Sequence, residues 1–378
     1  MRSDPIRVGI VGLGLAGRNA AREAAQSSFV HLVAVCDLNG SVAAQVASAS
    51  GARACTDYEQ LCSDPSIEAV FVATPTHFRL PHISDALKHG KHVMSEKPLA
   101  RNGAEARSIA EQVSAAGCVL TSVNTRGRDP IVQAMANLIR SSNFGSVLSL
   151  TNVMYKPWLL SPRYDYELDP ALGGGVNFRQ APHQVEIART IINDEVSSVS
   201  ATVGRVESPV AAHGNFNALI KFRSGASASL TFNGYGYFDT SELTGGIGEG
   251  GRERAPGEAI ELRRQESWKQ VKYSAPPSAS PSARTGARKL SIYGLTIVSC
   301  EYADLRPGPD GIFVYDYDSI RVVPVAPTDG GIQQDFLEFY EGVREGKPCV
   351  HDASWGVTTV DVCEAIWYSA QNDTVVRF

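Results

Sequence analysis

The chain has 378 residues, 43% hydrophobic and 20% charged, an ordinary globular composition that excludes a disordered or fibrous protein and allows two or three domains. Lys and Arg number 35 against 40 Asp and Glu, and the net charge of −5 offers no general attraction to nucleic-acid backbones or anionic lipid. No apolar run approaches the ~20 residues of a membrane span. The polar start Met1–Pro5 lacks the regions of a signal peptide, and the seven cysteines are scattered without a Cys-x-x-Cys pair. Together these predict a cytoplasmic protein with free thiols.

In chain order, Ile6–Gly12, Val30–Cys36, Ile67–Ala73, Lys91–Met94 and Cys118–Val123 are short apolar runs that predict buried strands. Helical patterns over Gly17–Gln26, Val42–Ala49, Pro81–His89 and Ala104–Ala116 separate them. Strand and helix in alternation predict βαβ units and a doubly wound parallel sheet, with ligands at the C-terminal edge of its strands. After about residue 145 the pattern changes. Gly145–Tyr155, Val196–Val206, Asn215–Phe222 and Ala226–Gly234 read as longer strands, the last two joined by an Arg223-Ser224-Gly225 hairpin turn. Glu258–Arg264, Leu290–Cys300, Ile312–Asp316 and Ile320–Val325 read as further strands, and the set predicts an antiparallel sheet in an α+β domain. The Gly-, Ser-, Pro- and Arg-rich stretch Gly245–Arg288 predicts a mobile surface loop. Two helices, Gln333–Arg344 and Ala353–Gln371, and a terminal strand, Thr374–Phe378, close the chain. The expected division is residues 1–128 and 129–378.

Gly12-Leu13-Gly14-Leu15-Ala16-Gly17 is a G-x-G-x-x-G that follows a strand and opens a helix, the context in which the motif cradles a dinucleotide diphosphate. Gly12 serves the tight turn, Gly14 the approach of the diphosphate, and Gly17 the packing of helix on strand. Leu15 and Ala16 place their backbone N–H groups at the positive end of the helix dipole. Asp37 lies 20 residues after Gly17, at the end of the second strand. A carboxylate there accepts hydrogen bonds from ribose hydroxyls and repels a 2′-phosphate, which favours NAD over NADP.

Glu96-Lys97-Pro98 follows another strand at the ligand-facing edge. Partial burial or a neighbouring cation brings a lysine there toward a useful acid–base value. His77, His82, His89 and His92 are spread by their spacing and lack suitable accompanying Cys or carboxylate ligands, so no metal site is expected. No G-x-S-x-G elbow supports a serine nucleophile.

Taken together, GLGLAG, Thr74-Pro75, Glu96-Lys97-Pro98 and the run Gly173-Gly174-Gly175 followed by Pro182-His183 resemble the glucose–fructose oxidoreductase, inositol dehydrogenase and rhizopine catabolism (Gfo/Idh/MocA) family over essentially the whole chain. The resemblance implies an N-terminal Rossmann domain, a C-terminal domain on a large open, mostly antiparallel sheet, a nicotinamide cofactor, and homodimers or homotetramers through that sheet. It implies that Lys97 and His183 are catalytic. It places Thr74, Pro75, His77, Glu96, Lys97 and Asn124 along the cofactor with Gly12, Gly14, Leu15, Ala16, Gly17 and Asp37.

The chain departs from the family run G-G-G-x-x-x-D-x-x-x-H: Arg179 stands at the Asp position. A planar guanidinium suits a carboxylate better than a neutral polyol. Arg126, Arg128 and Arg163, with Asn177 in the same run as Arg179, complete an expected pocket for an anionic substrate. The runs GGGVNFRQAPHQVEIAR and YGLTIVSCEYADLRPGPDGIFVYD are similar to one branch, the phthalate 4,5-cis-dihydrodiol dehydrogenases. That similarity implies oxidation of a carboxylated cis-dihydrodiol to the catechol by hydride transfer to NAD. The alternatives are a sugar, uronate or cyclitol dehydrogenase of the same family, and a non-catalytic NAD-binding regulator, against which the presence of both Lys97 and His183 speaks. A nucleic-acid role for the basic stretch Arg252–Arg288 is the weakest reading.

Overall fold

The computed structural model describes residues 4–123, 125–207, 212–269, 289–327 and 331–378. The chain forms two compact units, Met1–Thr125 with Gly331–Asp361, and Arg126–Gly330 with Val362–Phe378. The expected boundary at 128 lies beside the first break, but Gly331–Asp361 returns to the first unit, which a division into two consecutive blocks did not contain.

The first unit holds a six-stranded parallel sheet of β1 (Ile6–Val11), β2 (Val30–Cys36), β3 (Arg53–Cys55), β4 (Ala69–Val72), β5 (His92–Ser95) and β6 (Leu120–Ser122), in the order β3-β2-β1-β4-β5-β6. Its β-branched strands are buried on both faces, as crossover helices require. The strand order reverses between β1 and β4, and that switch point opens a crevice at their C-terminal ends. The helix Ile332–Glu345 adds Phe336, Phe339 and Tyr340 to the core formed by β1, β2 and the helix Leu15–Ala24.

The second unit holds a nine-stranded sheet. Its strands are β7 (Val147–Tyr155), β8 (Val196–Val206), β9 (Ala212–Phe222), β10 (Ser227–Asn233), β11 (Leu295–Cys300), β12 (Ala303–Gly308), β13 (Gly311–Asp316), β14 (Ile320–Pro324) and β15 (Val376–Arg377). Their order is β14-β13-β12-β11-β7-β10-β9-β8-β15, antiparallel except for the parallel pair β7–β10. One cross-strand row, Leu305, Val298, Leu150, Ala228, Ile220 and Val199, is wholly buried. The next row, Ile297, Thr151, Ser229, Leu219 and Ser200, lies on the opposite face and includes exposed Leu219 and Ile297. Alternation with period two produces these two faces. The helices Pro130–Ser141 and Ala181–Ile192 cover the buried face, the first with Ile131, Val132, Met135, Ala136 and Ile139 at helical spacing.

Three sequence expectations change. Glu258–Arg264 is a helix, not a strand. Its Glu-Ala-Ile-Glu-Leu-Arg-Arg run is built of good helix formers, with acids in the first turn and arginines in the last. The segment Leu290–Cys300 pairs as a strand only from Leu295 onward. The stretch expected to be mobile from 245 to 288 is ordered as far as residue 269, and residues 270–288 lie outside the described residues. Within the ordered part Arg252 and Arg254 pair with Glu258, and Arg263 lies over the rings of Tyr235 and Tyr237. No helix among the described residues is long and apolar enough to cross a membrane. None of the seven cysteines forms a disulfide among the described residues.

Candidate functional site

In the first unit the glycine loop joins β1 to the helix Leu15–Ala24. Gly12 takes φ 85°, which L side chains rarely adopt, and a Cβ there would press on the backbone of Ala73 and Thr74. A Cβ on Gly17 would stand 1.9 Å from the Gly12 carbonyl oxygen. At Gly14 a Cβ would meet nothing within 4 Å, so space lies open over the loop. The helix begins without a side-chain cap, which leaves its first N–H groups to an anion. Leu15 is exposed and Ala16 partly buried at that start. Asp37 accepts from the Leu13 N–H at 2.7 Å and the Asn39 N–H at 2.9 Å. Those bonds clamp the glycine loop to the end of β2 and leave lone pairs for ribose hydroxyls. The open loop, the uncapped helix start and the clamped carboxylate fit a dinucleotide.

After β4, the Thr74 hydroxyl lies 3.0 Å from the His82 ring and Pro75 opens the short turn Thr76–Phe78. His77 in that turn packs on Phe78, and burial together with Arg101 and Arg79 lowers its pKa, so its ring is neutral at pH 7. After β5, Glu96 accepts from the Lys97 backbone N–H at 3.1 Å, and a cis peptide joins half-buried Lys97 to Pro98. Buried Arg79 donates to the carbonyls of Thr74 and Pro98 and so ties the two cofactor-side loops together. Asn124 lies outside the described residues.

In the second unit His183 stands in the first turn of Ala181–Ile192, its N–H donating to the Gln180 carbonyl. Its ring lies 5.1 Å from that of Tyr293, whose hydroxyl donates to Gln180 Oε1 at 2.9 Å. Burial and Glu249 push the Tyr293 phenol well above its usual range, so it stays protonated. Arg126 and Lys156 lie 5.7 and 5.4 Å from the Tyr293 ring centre. Both cations converge on Glu249: Arg126 Nη2 donates to one oxygen at 2.6 Å, Lys156 Nζ to the other at 2.7 Å. Burial acts to raise the Glu249 pKa, but Lys156, Arg126 and His183 outweigh it and hold the carboxyl well below its usual range. Burial depresses Lys156 in spite of Glu249. Arg126 also pairs with Asp129 at 3.2 Å, and Ser291 donates to the same Asp129 oxygen at 2.9 Å. Burial nonetheless pushes Asp129 up to about 6.

The remaining arginines group differently. Arg163 and Arg179 share buried Glu167, at 3.8 and 3.3 Å, and Arg163 stacks on Trp158. The partner of Arg179 is thus a residue twelve positions earlier, on the short helix Asp165–Leu168. Arg128 is partly buried in the turn before the helix Pro130–Ser141. Asn177 is 1% exposed and donates to the Cys363 carbonyl at 2.9 Å, which fastens its helix to Ala353–Asn372. Lys156, Glu249 and Tyr293 were not among the sequence candidates. Lys156 sits after a strand with no motif around it, and Glu249 sits in a stretch whose composition reads as a loop.

A family model for an oxidoreductase family with an NAD-binding Rossmann fold matches residues 6–125, and one for the GFO/IDH/MocA C-terminal domain matches residues 132–245. The chain is 29% identical over 373 residues to a 1-carboxy-3-chloro-3,4-dihydroxycyclohexa-1,5-diene dehydrogenase of Comamonas testosteroni, covering 96% of this chain and 94% of that protein. It is 29% identical to an inositol 2-dehydrogenase of Rubrobacter xylanophilus, over 67% of this chain and 72% of that protein. A protein of Bordetella bronchiseptica RB50, whose crystal structure carries the provisional description of a dehydrogenase, superimposes with a TM-score of 0.89 at 31% identity, covering 99% of this chain and all of that one. With its parallel NAD-binding sheet and its nine-stranded second sheet, the chain belongs to the Gfo/Idh/MocA family of NAD-dependent oxidoreductases.

Proposed function

We propose that this dehydrogenase oxidises a carboxylated cis-dihydrodiol, of the phthalate dihydrodiol type, to the corresponding catechol. The observation that supports the reading is the placing of Arg126 and Lys156 by the Tyr293 ring, which packs on His183, in a protein whose net charge is −5. The similarity to the Comamonas protein over nearly the whole chain points the same way. Bound NAD⁺ supplies the hydride acceptor. It is held by Gly12, Gly14, Leu15, Ala16, Gly17 and Asp37, with Thr74, Pro75, His77, Glu96 and Asn124 alongside. Lys97 and His183 share the hydroxyl proton, and Tyr293 holds the His183 ring in place. Lys156, Arg163 and Arg179, with Arg126 and Arg128, receive the substrate's carboxylates as charge-assisted hydrogen-bond donors. Assembly through the outer face of the nine-stranded sheet, where Leu219 and Ile297 are exposed, belongs to the same proposal.

The test is a panel of cis-dihydrodiol carboxylates, polyols and uronates with NAD⁺ and NADP⁺, read as NADH or NADPH absorbance. The carboxylated diols are expected to give the highest kcat/KM. A polyol or uronate as the only substrate would favour the second reading, a sugar or cyclitol dehydrogenase, which the resemblance to the inositol dehydrogenase supports. Lys97→Ala is expected to lose about a hundredfold or more in turnover, the usual share of a proton-transfer group, while retaining NAD binding. Near-normal turnover in that variant would remove Lys97 from the mechanism.

A further inference from the structure

Asn152 lies in the middle of β7 with no exposed surface, between its cross-strand neighbours Thr296 and Leu230, which are buried as well. Its side chain holds two segments. Nδ2 donates to the Tyr293 carbonyl at 3.1 Å and to the Thr296 hydroxyl at 2.8 Å. Oδ1 accepts from Gln184 Nε2 at 2.6 Å. Gln184, also without exposed surface, donates from the same nitrogen to the carbonyls of Asn152 and Thr231 at 3.1 and 3.0 Å. Backbone carbonyls only accept, so each of the two amides has a single orientation. Among the described residues Gln184 Oε1 has no hydrogen-bond partner, so the pairing is held at a cost that two apolar residues would avoid. What a buried polar network of this kind supplies is one fixed arrangement. Both of its arms end beside the proposed site of proton transfer. Gln184 follows His183 directly, and the Tyr293 ring lies 5.1 Å from the His183 ring. Tyr293 is held at both ends, its carbonyl by Asn152 and its hydroxyl by Gln180.

We propose that Asn152 is a positioning residue for the proton transfer: its one amide fixes the helix start that carries His183 and the segment that carries Tyr293 in a single mutual geometry. The inference rests on the reading of His183 as a proton-handling group. It is indifferent to whether the substrate is a carboxylated diol, a sugar or a cyclitol. Loss of the amide frees both rings at once, and a displacement of about 1 Å in such a group costs up to about a hundredfold in rate.

The test uses the full chain with NAD⁺ and whichever panel substrate gives the highest kcat/KM. Asn152→Leu keeps the volume and removes both arms. It is expected to lower kcat by about tenfold or more, with KM and NAD⁺ affinity within about twofold of native. Added to His183→Ala, it is expected to cause no further loss. Asn152→Asp is the sharper variant, and it replaces the Leu variant if that one fails to fold. Its protonated carboxyl still donates to the Tyr293 carbonyl and accepts from Gln184, whereas the ionised form has no donor. Burial raises the pKa of that carboxyl, so the ratio of variant to native kcat is expected to stand near one at acid pH and to fall by about tenfold as the group ionises. A readout free of substrate comes from ¹³C-labelled histidine: in Asn152→Leu the ring signal of His183, identified by its loss in His183→Ala, is expected to move while the other histidine signals stay. Losses that add to that of His183→Ala, a kcat ratio flat with pH, or an unmoved His183 signal overturns the proposal. Turnover of His183→Ala is scored by itself. If it is near native, the reading of His183 falls and this inference falls with it. If it is lost while the Asn152 effects add to it, the inference alone falls.

Discussion

Gly14 and Gly17 belong to one motif but fail for different reasons when a methyl group is added. Gly17→Ala drives a Cβ into the Gly12 carbonyl, so a stability loss of about 3 kcal/mol is expected from overpacking, seen as a lower denaturation midpoint. Gly14→Ala meets no atom of the chain, so stability should shift by less than about 0.5 kcal/mol. The methyl occupies the diphosphate's approach, and NAD affinity measured by fluorescence titration should fall by about tenfold or more. Equal stability losses in the two variants would contradict the division of labour. The motif was readable in the sequence because each glycine answers a local geometric need. Glu249 and Lys156 were not, because their partners come from segments far apart in the chain, and no local pattern encodes a pairing between positions 126, 156 and 249.

The buried ionic network couples elements by charge and has a definite pH signature. Asp129 titrates at about 6 in the folded chain against 3.8 when exposed, so between those values the native state holds a proton that the unfolded chain has released. Stability from this group therefore falls as pH rises through that window and is level above it. Melting temperatures of the native protein minus those of Asp129→Asn should decline from about pH 4 to about pH 6 and then flatten. A flat difference across the range would remove the assignment. Elements themselves were legible where period and length agreed, as in β1, β2 and the β9–β10 hairpin. Glu258–Arg264 was misread because a run of seven residues is too short for its period to separate a strand from a helix. The stretch after Gly245 was misread because composition reports apolar content and misses a hairpin closed by backbone bonds.

At the scale of the molecule, net charge says little of any ligand, because the 22 Lys and Arg of the second unit are matched by 23 Asp and Glu and most of the surplus lies in the first, 13 against 17. Cofactor choice is a whole-molecule readout of one carboxylate: with Asp37 in place and Leu38, Asn39 and Gly40 following, kcat/KM with NAD⁺ is expected to exceed that with NADP⁺ by about a hundredfold, the order of ~3 kcal/mol of like-charge repulsion. The return of Gly331–Asp361 to the first unit also binds distant parts of the sequence into one fold. Phe339, with no exposed surface, lies in the core of β1 and the helix Leu15–Ala24, and Phe339→Ala should cost about 3–5 kcal/mol in denaturation. That return has a consequence for biosynthesis. The first six strands leave the ribosome early, yet the helix that covers one flank of their core is made some two hundred residues later. At typical elongation speeds of about 5–20 residues per second, that flank of the nascent chain stays bare for about ten seconds or more.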